Sequence, residues 1–199
     1  MDIKIINRAL IKMGEKPISS LNEQPYGHLF ELVYDDIRKN LISSYPWRFA
    51  IKRVKLSPLD EETLNDFEYK YNLPNDCLMV RGISDTYKFS DLRDFRSSSF
   101  ERYTLEGKNI YTNINELLLI YVADVEKDFS PLFKEAFICK LAEELTVKIH
   151  QNPTLLNLFQ QQYVEALSQA ITHNEIIQDT QELGDNSWMM IREGWSNDY

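Results

Sequence analysis

Apolar residues recur every three or four positions at both ends of the chain and every second position in its middle. This change of period divides the sequence into three zones. In the first, Ile3, Ile6, Ala9, Leu10 and Met13 mark one face of a helix, and Gly14 follows where a left-handed backbone is needed to stop it. Glu15 to Gln24 reads as a loop anchored by Pro17, Ile18 and Leu21. A second helix runs through Tyr26, Leu29, Phe30, Val33, Ile37 and Leu41. It ends near Ser44, because Tyr45 precedes Pro46 and is pushed out of the helical region.

In the middle zone Trp47, Phe49 and Ile51 alternate with Arg48, Ala50 and Lys52, and Phe67, Tyr69 and Tyr71 alternate with charged residues. Leu73 to Asp76 is a turn, and Cys77 to Ile83 is an apolar run of strand length. The polar stretch from Asp85 to Ser99 reads as a loop. Tyr103 to Leu105, Glu106-Gly107 and Lys108 to Tyr111 read as a hairpin with a glycine turn, and Leu117 to Val125 as a buried strand. In the third zone Ser130-Pro131 is a helix start, followed by Phe133, Phe137, Leu141, Leu145 and Ile149 at a four-residue step. Asn152-Pro153 ends that helix and begins another, with Leu156, Phe159, Tyr163, Leu167, Ala170 and Ile171 on one face, continuing to about Thr180.

Neither helical pair is wide enough to bury its own apolar face. The expected architecture is therefore α+β: a four-helix bundle of two N-terminal and two C-terminal helices, an inserted antiparallel β region of five or six strands, and an extended C-terminal tail. The boundaries are residues 1–45 for the first helical pair, 46–128 for the β insertion, 129–183 for the second pair and 184–199 for the tail. Pro46, Trp47 and Phe49, just after the second helix, are expected at the joint between bundle and strands.

Composition sharpens this picture. With 199 residues, 43% of them hydrophobic and 12% aromatic, the chain can build a core of its own and is not largely disordered. Lys and Arg number 22 against 31 Asp and Glu, a net charge of −9, which argues against gripping phosphate backbones. Lys52, Arg53 and Lys55 are clustered cations, which Asp60, Glu61 and Glu62 are expected to balance. Cys77 and Cys139 lie far apart in apolar stretches and read as free buried thiols. The N-terminus has no secretory h-region, and the longest apolar run, Leu117 to Ala123, is far short of the roughly 20 residues a spanning helix needs. A soluble protein made in a reducing compartment, without a membrane partner, is expected.

Candidate chemistry is sparse. His28, His150 and His173 share no metal-type spacing with cysteines or carboxylates. Gly14-Glu15-Lys16 resembles part of a phosphate loop but lacks its first glycine and preceding strand. Ser43-Ser44 and Ser97 to Ser99 lack a nucleophile-elbow context, and Asp35-Asp36 and Asp60 to Glu62 read as solvated carboxylates. No catalytic, cofactor-binding or metal-binding residue is assigned, and no cofactor is expected. The unusual feature is the tail: Trp188, Met189, Met190, Ile191, Arg192 and Trp195 form a candidate partner interface, rich in residue types that anchor protein contacts.

Several elements together resemble one family. Ala9 to Leu21, with Gly14-Glu15-Lys16-Pro17-Ile18 and Ser20-Leu21, is similar to the opening of the tail tubular protein A, or head–tail adaptor (connector), family of short-tailed bacteriophages. So is the second helix from Tyr34 through Ile37-Arg38 to Leu41, followed by Tyr45-Pro46-Trp47-Arg48-Phe49-Ala50. Leu73-Pro74-Asn75-Asp76-Cys77, Glu106-Gly107, Leu119 to Val125 and Phe133 to Leu145 continue the resemblance in order, across about residues 3 to 180. Asp85 to Arg102 departs from the family pattern.

The resemblance implies a structural virion protein with no enzymatic activity. It would be made in the host bacterial cytoplasm and placed in the neck of the tail. It would form a homo-oligomeric ring of about twelve subunits between the portal protein and the tail nozzle protein. Genomic DNA would pass through the lumen without specific binding, which an acidic balance favours. An intracellular helical-bundle interaction module, or a small enzyme with an unrecognised site, would use the same elements differently.

Overall fold

The computed structural model describes residues 1–23, 26–61, 63, 66–84 and 102–193, with side chains as far as Ile176. The chain forms two units. One joins Met1–Leu41 to the chain from Asp128 onward, and the other is the continuous stretch Ile42–Lys127.

The first unit is helical. α1 (Ile3–Met13) starts where the Asp2 side chain accepts from the Lys4 N–H at 2.9 Å, and it stops at Gly14, whose φ of 84° places it in the left-handed region. It buries Ile5, Ile6, Ala9, Leu10 and Met13. In the loop that follows, Asn7 holds Ile18 on both sides: the Ile18 N–H donates to Asn7 Oδ1, and its carbonyl accepts from Asn7 Nδ2. α2 (Gly27–Ser43) begins where a Cβ would run into the Leu21 carbonyl. α3 (Pro131–Ile149) has Ser130 as its cap, accepting from the Phe133 N–H, and Pro131 in its first turn. α4 (Pro153–Glu193) is capped by Asn152 Oδ1, which accepts from the Thr154 and Leu155 N–H groups.

The α+β class is as expected, but the helices do not form a four-helix bundle carrying a β insert. A bundle needs each helix to pack beside two neighbours around one seam. Here α3 is the hub: α1 packs on it and α4 packs on it, and among the described residues no other helix pair meets to a comparable extent. α3 buries Phe133, Ala136, Phe137, Ile138, Cys139, Leu141, Ala142, Leu145 and Thr146, so it is apolar around most of its circumference. Ala136 and Cys139 pack against Ala166, with Tyr163 and Leu167 beside them, so α3 and α4 run antiparallel and close together. α2 reaches α3 through the Tyr34 ring, 4.9 Å from that of Phe137, and the Tyr34 hydroxyl accepts from the Asp2 N–H.

The extended tail is corrected as well. α4 stays helical through Gly184 to Glu193, because one glycine lowers helix propensity by only about 1 kcal/mol and does not force a stop.

Among the described residues the second unit holds six strands in two three-stranded antiparallel sheets. β1 (Ile51–Leu56), β3 (Cys77–Ser84) and β6 (Leu117–Ala123) form one, ordered β1-β6-β3. β2 (Tyr69–Asn72), β4 (Tyr103–Glu106) and β5 (Asn109–Thr112) form the other, ordered β2-β5-β4. β6 is central and almost wholly buried, as its unbroken apolar run implies. Leu117, Leu119, Tyr121 and Ala123 on one of its faces pack with Tyr71 and Ile110 from the other sheet, giving this unit a core of its own. The β4–β5 hairpin turns through Gly107 at φ 61°, the glycine turn its sequence predicts. Asp85 to Ser99, read as a loop, lies outside the described residues.

Candidate interaction surfaces

Pro46, Trp47 and Phe49 fall in the second unit, a few residues after the chain leaves the first at Leu41. The expected alternation over residues 47–52 is not what forms. Arg48–Ala50 is a 3-10 turn, whose Ala50 and Ile51 N–H groups donate to the Trp47 carbonyl, and the strand starts only at Ile51. The fully buried pair is therefore Trp47 and Ala50, at the three-residue spacing of that turn. The Trp47 ring stands edge-on to Tyr45 at 5.1 Å and stacked with Phe49 at 6.1 Å. This aromatic group fixes the entry to β1.

The turn before β3 meets β1 and β6 at a small hydrogen-bonded cluster of Asp76, Lys52 and Tyr121. Asp76 accepts from Lys52 Nζ at 2.6 Å and from the Tyr121 hydroxyl at 3.1 Å. The Lys52 ammonium, helped by Tyr121, holds the Asp76 carboxyl below its ordinary range. Burial, and then the Asp76 carboxylate, push the Tyr121 phenol up to about 12. Asp76 also accepts the Asp124 N–H on its backbone carbonyl. It therefore ties the start of β3, β1 and the end of β6 together. Lys55 pairs with Glu116 at 2.8 Å, and Glu61 pairs with Lys70. Among the described residues Asp76 thus pairs with Lys52 and Glu116 with Lys55, both brought in by strand pairing.

In the first unit Glu135 of α3 receives two cations from α1, Arg8 at 3.1 Å and Lys12 at 2.8 Å. Burial pulls the Lys12 ammonium down, but its bond to the Glu135 carboxylate outweighs it and holds it above its ordinary value. Burial pushes the Cys139 thiol up, so it is held as a neutral thiol. Glu15 accepts from the Tyr26 hydroxyl at 2.8 Å and lies 3.5 Å from His150 Nε2, linking the loop before α2 to the end of α3. Among the described residues no group of three His, Cys, Asp or Glu could hold a metal ion, and no helix is long and apolar enough to cross a membrane.

Trp188, Met189, Met190, Ile191 and Arg192 fall on the last turns of α4, with side chains outside those described; Trp195 lies outside the described residues altogether. Nearer its start α4 presents a shallow groove of about 560 Å³ along Gln160, Val164, Ser168 and their neighbours. Sequence reasoning did not single out the basic stripe Lys4, Arg8 and Lys12 of α1, although its four-residue repeat was available as a signal. No protein-family model and no curated protein sequence matches the chain.

Proposed function

We propose that the chain is a structural head–tail adaptor of a short-tailed bacteriophage, one subunit of a ring between portal and tail nozzle through which genomic DNA passes. The observation that carries this reading is a mismatch of helix lengths. α3 has 19 residues and α4 has 41. At 1.5 Å per residue these are about 28 Å and about 60 Å long. The short link between them makes the pair antiparallel, so α3 can cover only about the first half of α4. The other half contains Trp188, Met189, Met190 and Ile191 and calls for a partner other than α3.

The resemblance supplies the partners: a neighbouring copy, the portal protein and the nozzle protein. The features that carry it occupy defined places, with Gly14 as the α1 stop, Ile18 held by Asn7, Trp47 in its aromatic group and Asp76 at the head of β3. A net charge of −9, with Lys52 and Lys55 already paired, fits a lumen that lets DNA slide.

The test is particle mass by native mass spectrometry, with the protein alone and with an isolated portal ring. A closed ring, alone or on the portal, is the expected result. Deleting residues 186–199 is expected to abolish portal binding and to leave the melting temperature nearly unchanged. A chain that stays monomeric with and without the portal overturns the proposal.

A further inference from the structure

α1 and α2 carry stripes of opposite charge, exposed at Lys4, Arg8 and Ile11 on the first and at Glu31, Leu32 and Asp36 on the second, while Lys12 at the edge of the first turns to Glu135 and Gln162. On α1, positions 4, 8, 11 and 12 share one side. Lys4, Arg8 and Lys12 give it three cations, of which Arg8 and Lys12 share the single carboxylate of Glu135. Ile11 stands among them 60% exposed. On α2, positions 31, 32, 35, 36 and 39 share one side. Glu31, Asp35 and Asp36 outnumber Lys39 there, and Leu32 stands among them 61% exposed. Asp35 lies 3.5 Å from the buried Arg38 and Glu31 lies 3.6 Å from His28 Nδ1 on the same side, so Asp36, with Glu31 beside it, carries the outward negative charge of the stripe. A basic stripe is an exception on a chain of net charge −9, and each stripe has one large apolar side chain at its centre.

We infer that α1 of one copy seats against α2 of a neighbouring copy, basic stripe on acidic stripe, with Ile11 beside Leu32. The occupant of each stripe is thus a second copy of this chain. The two stripes belong to different helices, so the contact is head-to-tail, and its repetition closes a ring or grows a filament. This inference rests on the ring reading above and names the contact that would build it. Two helices meeting over a few turns bury less than the roughly 800 Å² per partner of a stable complex. The contact is therefore weak for an isolated pair, sensitive to salt, and strengthened by closure.

The experiment follows self-association of the full chain by sedimentation velocity at low salt over a wide concentration range. Lys4→Glu/Arg8→Glu and Glu31→Lys/Asp36→Lys are each expected to weaken association about tenfold or more. An equimolar mixture of the two is expected to restore it, since each reversed stripe then meets a reversed stripe. That rescue also separates a broken contact from a misfolded variant. Ile11→Glu, at an exposed position that leaves the ion pairs of α1 in place, is expected to weaken association as well.

If wild type assembles and the charge variants assemble equally well alone, the contact is overturned while the ring reading stands. A mixture that stays dissociated while Ile11→Glu behaves as wild type also overturns the contact. A wild-type chain that remains monomeric at every concentration, with and without a portal ring, overturns both.

Discussion

Replacing Tyr121 by Phe removes a single hydroxyl from a buried ring and leaves the packing of β6 unchanged. That hydroxyl donates to Asp76, whose other partner is Lys52. Burial and the Asp76 carboxylate raise the phenol from an ordinary 10 to about 12 in the folded chain. A folded value above the unfolded one means that the group's stabilisation is fully present below pH 10 and is lost as pH rises through about 12. A gap of that size corresponds to about 3 kcal/mol between neutral and strongly alkaline solution. Near neutrality the variant loses a hydrogen bond to a charged group, worth about 1.5–3 kcal/mol. Urea unfolding of wild type and Tyr121→Phe, repeated in steps from neutral pH upward, measures both quantities. Every other group is common to the two proteins and cancels in the difference. The two curves are expected to converge as pH rises, because wild type has more to lose. If the gap between them stays constant into strong alkali, the phenol is not raised by its burial and its bond to Asp76, and the account of this turn is wrong.

At the acid end the sign reverses. Asp76 is held below its ordinary value, so its stabilisation is present above the ordinary carboxylate range and is lost as pH falls through the lower folded value; acid unfolding of Lys52→Met should lack that component. Trp47→Ala empties a fully buried site and should cost about 3–5 kcal/mol in chemical denaturation; a melt matching wild type would show that the aromatic group is not structural. Gly27→Ala forces a Cβ into the Leu21 carbonyl and should cost about 1–3 kcal/mol by urea unfolding, where an unchanged midpoint would mean that the loop yields freely. No appreciable affinity for duplex DNA is expected at physiological salt, and micromolar binding with a steep salt slope in fluorescence anisotropy would reveal a basic surface that net charge hides.

What was legible in the sequence was local. Gly14 at the end of α1, Ser130-Pro131 before α3 and Glu106-Gly107 in the hairpin each encode their structure within a few residues, and all of them sit at element ends. Trp47 to Ile51 misled because a 3-10 turn running into a strand buries every third residue where alternation was read. The sheet order β1-β6-β3 and the partners of Lys52 and Lys55 were not readable, since they depend on which strands pair across long stretches of chain, as Ile51 does with Val122 and Ser84 with Leu118. The bundle expectation failed for a reason the sequence did contain. Between Phe133 and Leu145 the apolar positions of α3 extend well beyond one stripe, with Ala136, Ile138, Cys139 and Ala142 filling the sides. A helix apolar around most of its girth sits in the middle of its neighbours, whereas a bundle member has one wet side.

The division of the chain also sets an order of events during synthesis. The second unit is continuous and closes its own core within Ile42–Lys127, while the first is split, with α1 and α2 made early and α3, their hub, made late. At roughly 5–20 residues per second, about a hundred residues separate the ends of α2 and α3, an interval on the order of 5–20 s. Throughout that interval Ile5, Ile6 and Leu10 have no α3 to cover them, while the β unit between can already be complete. The nascent chain therefore passes through a stage with a finished centre and an unfinished, adhesive N-terminus, the stage at which chaperone capture or premature association of neighbouring chains would act.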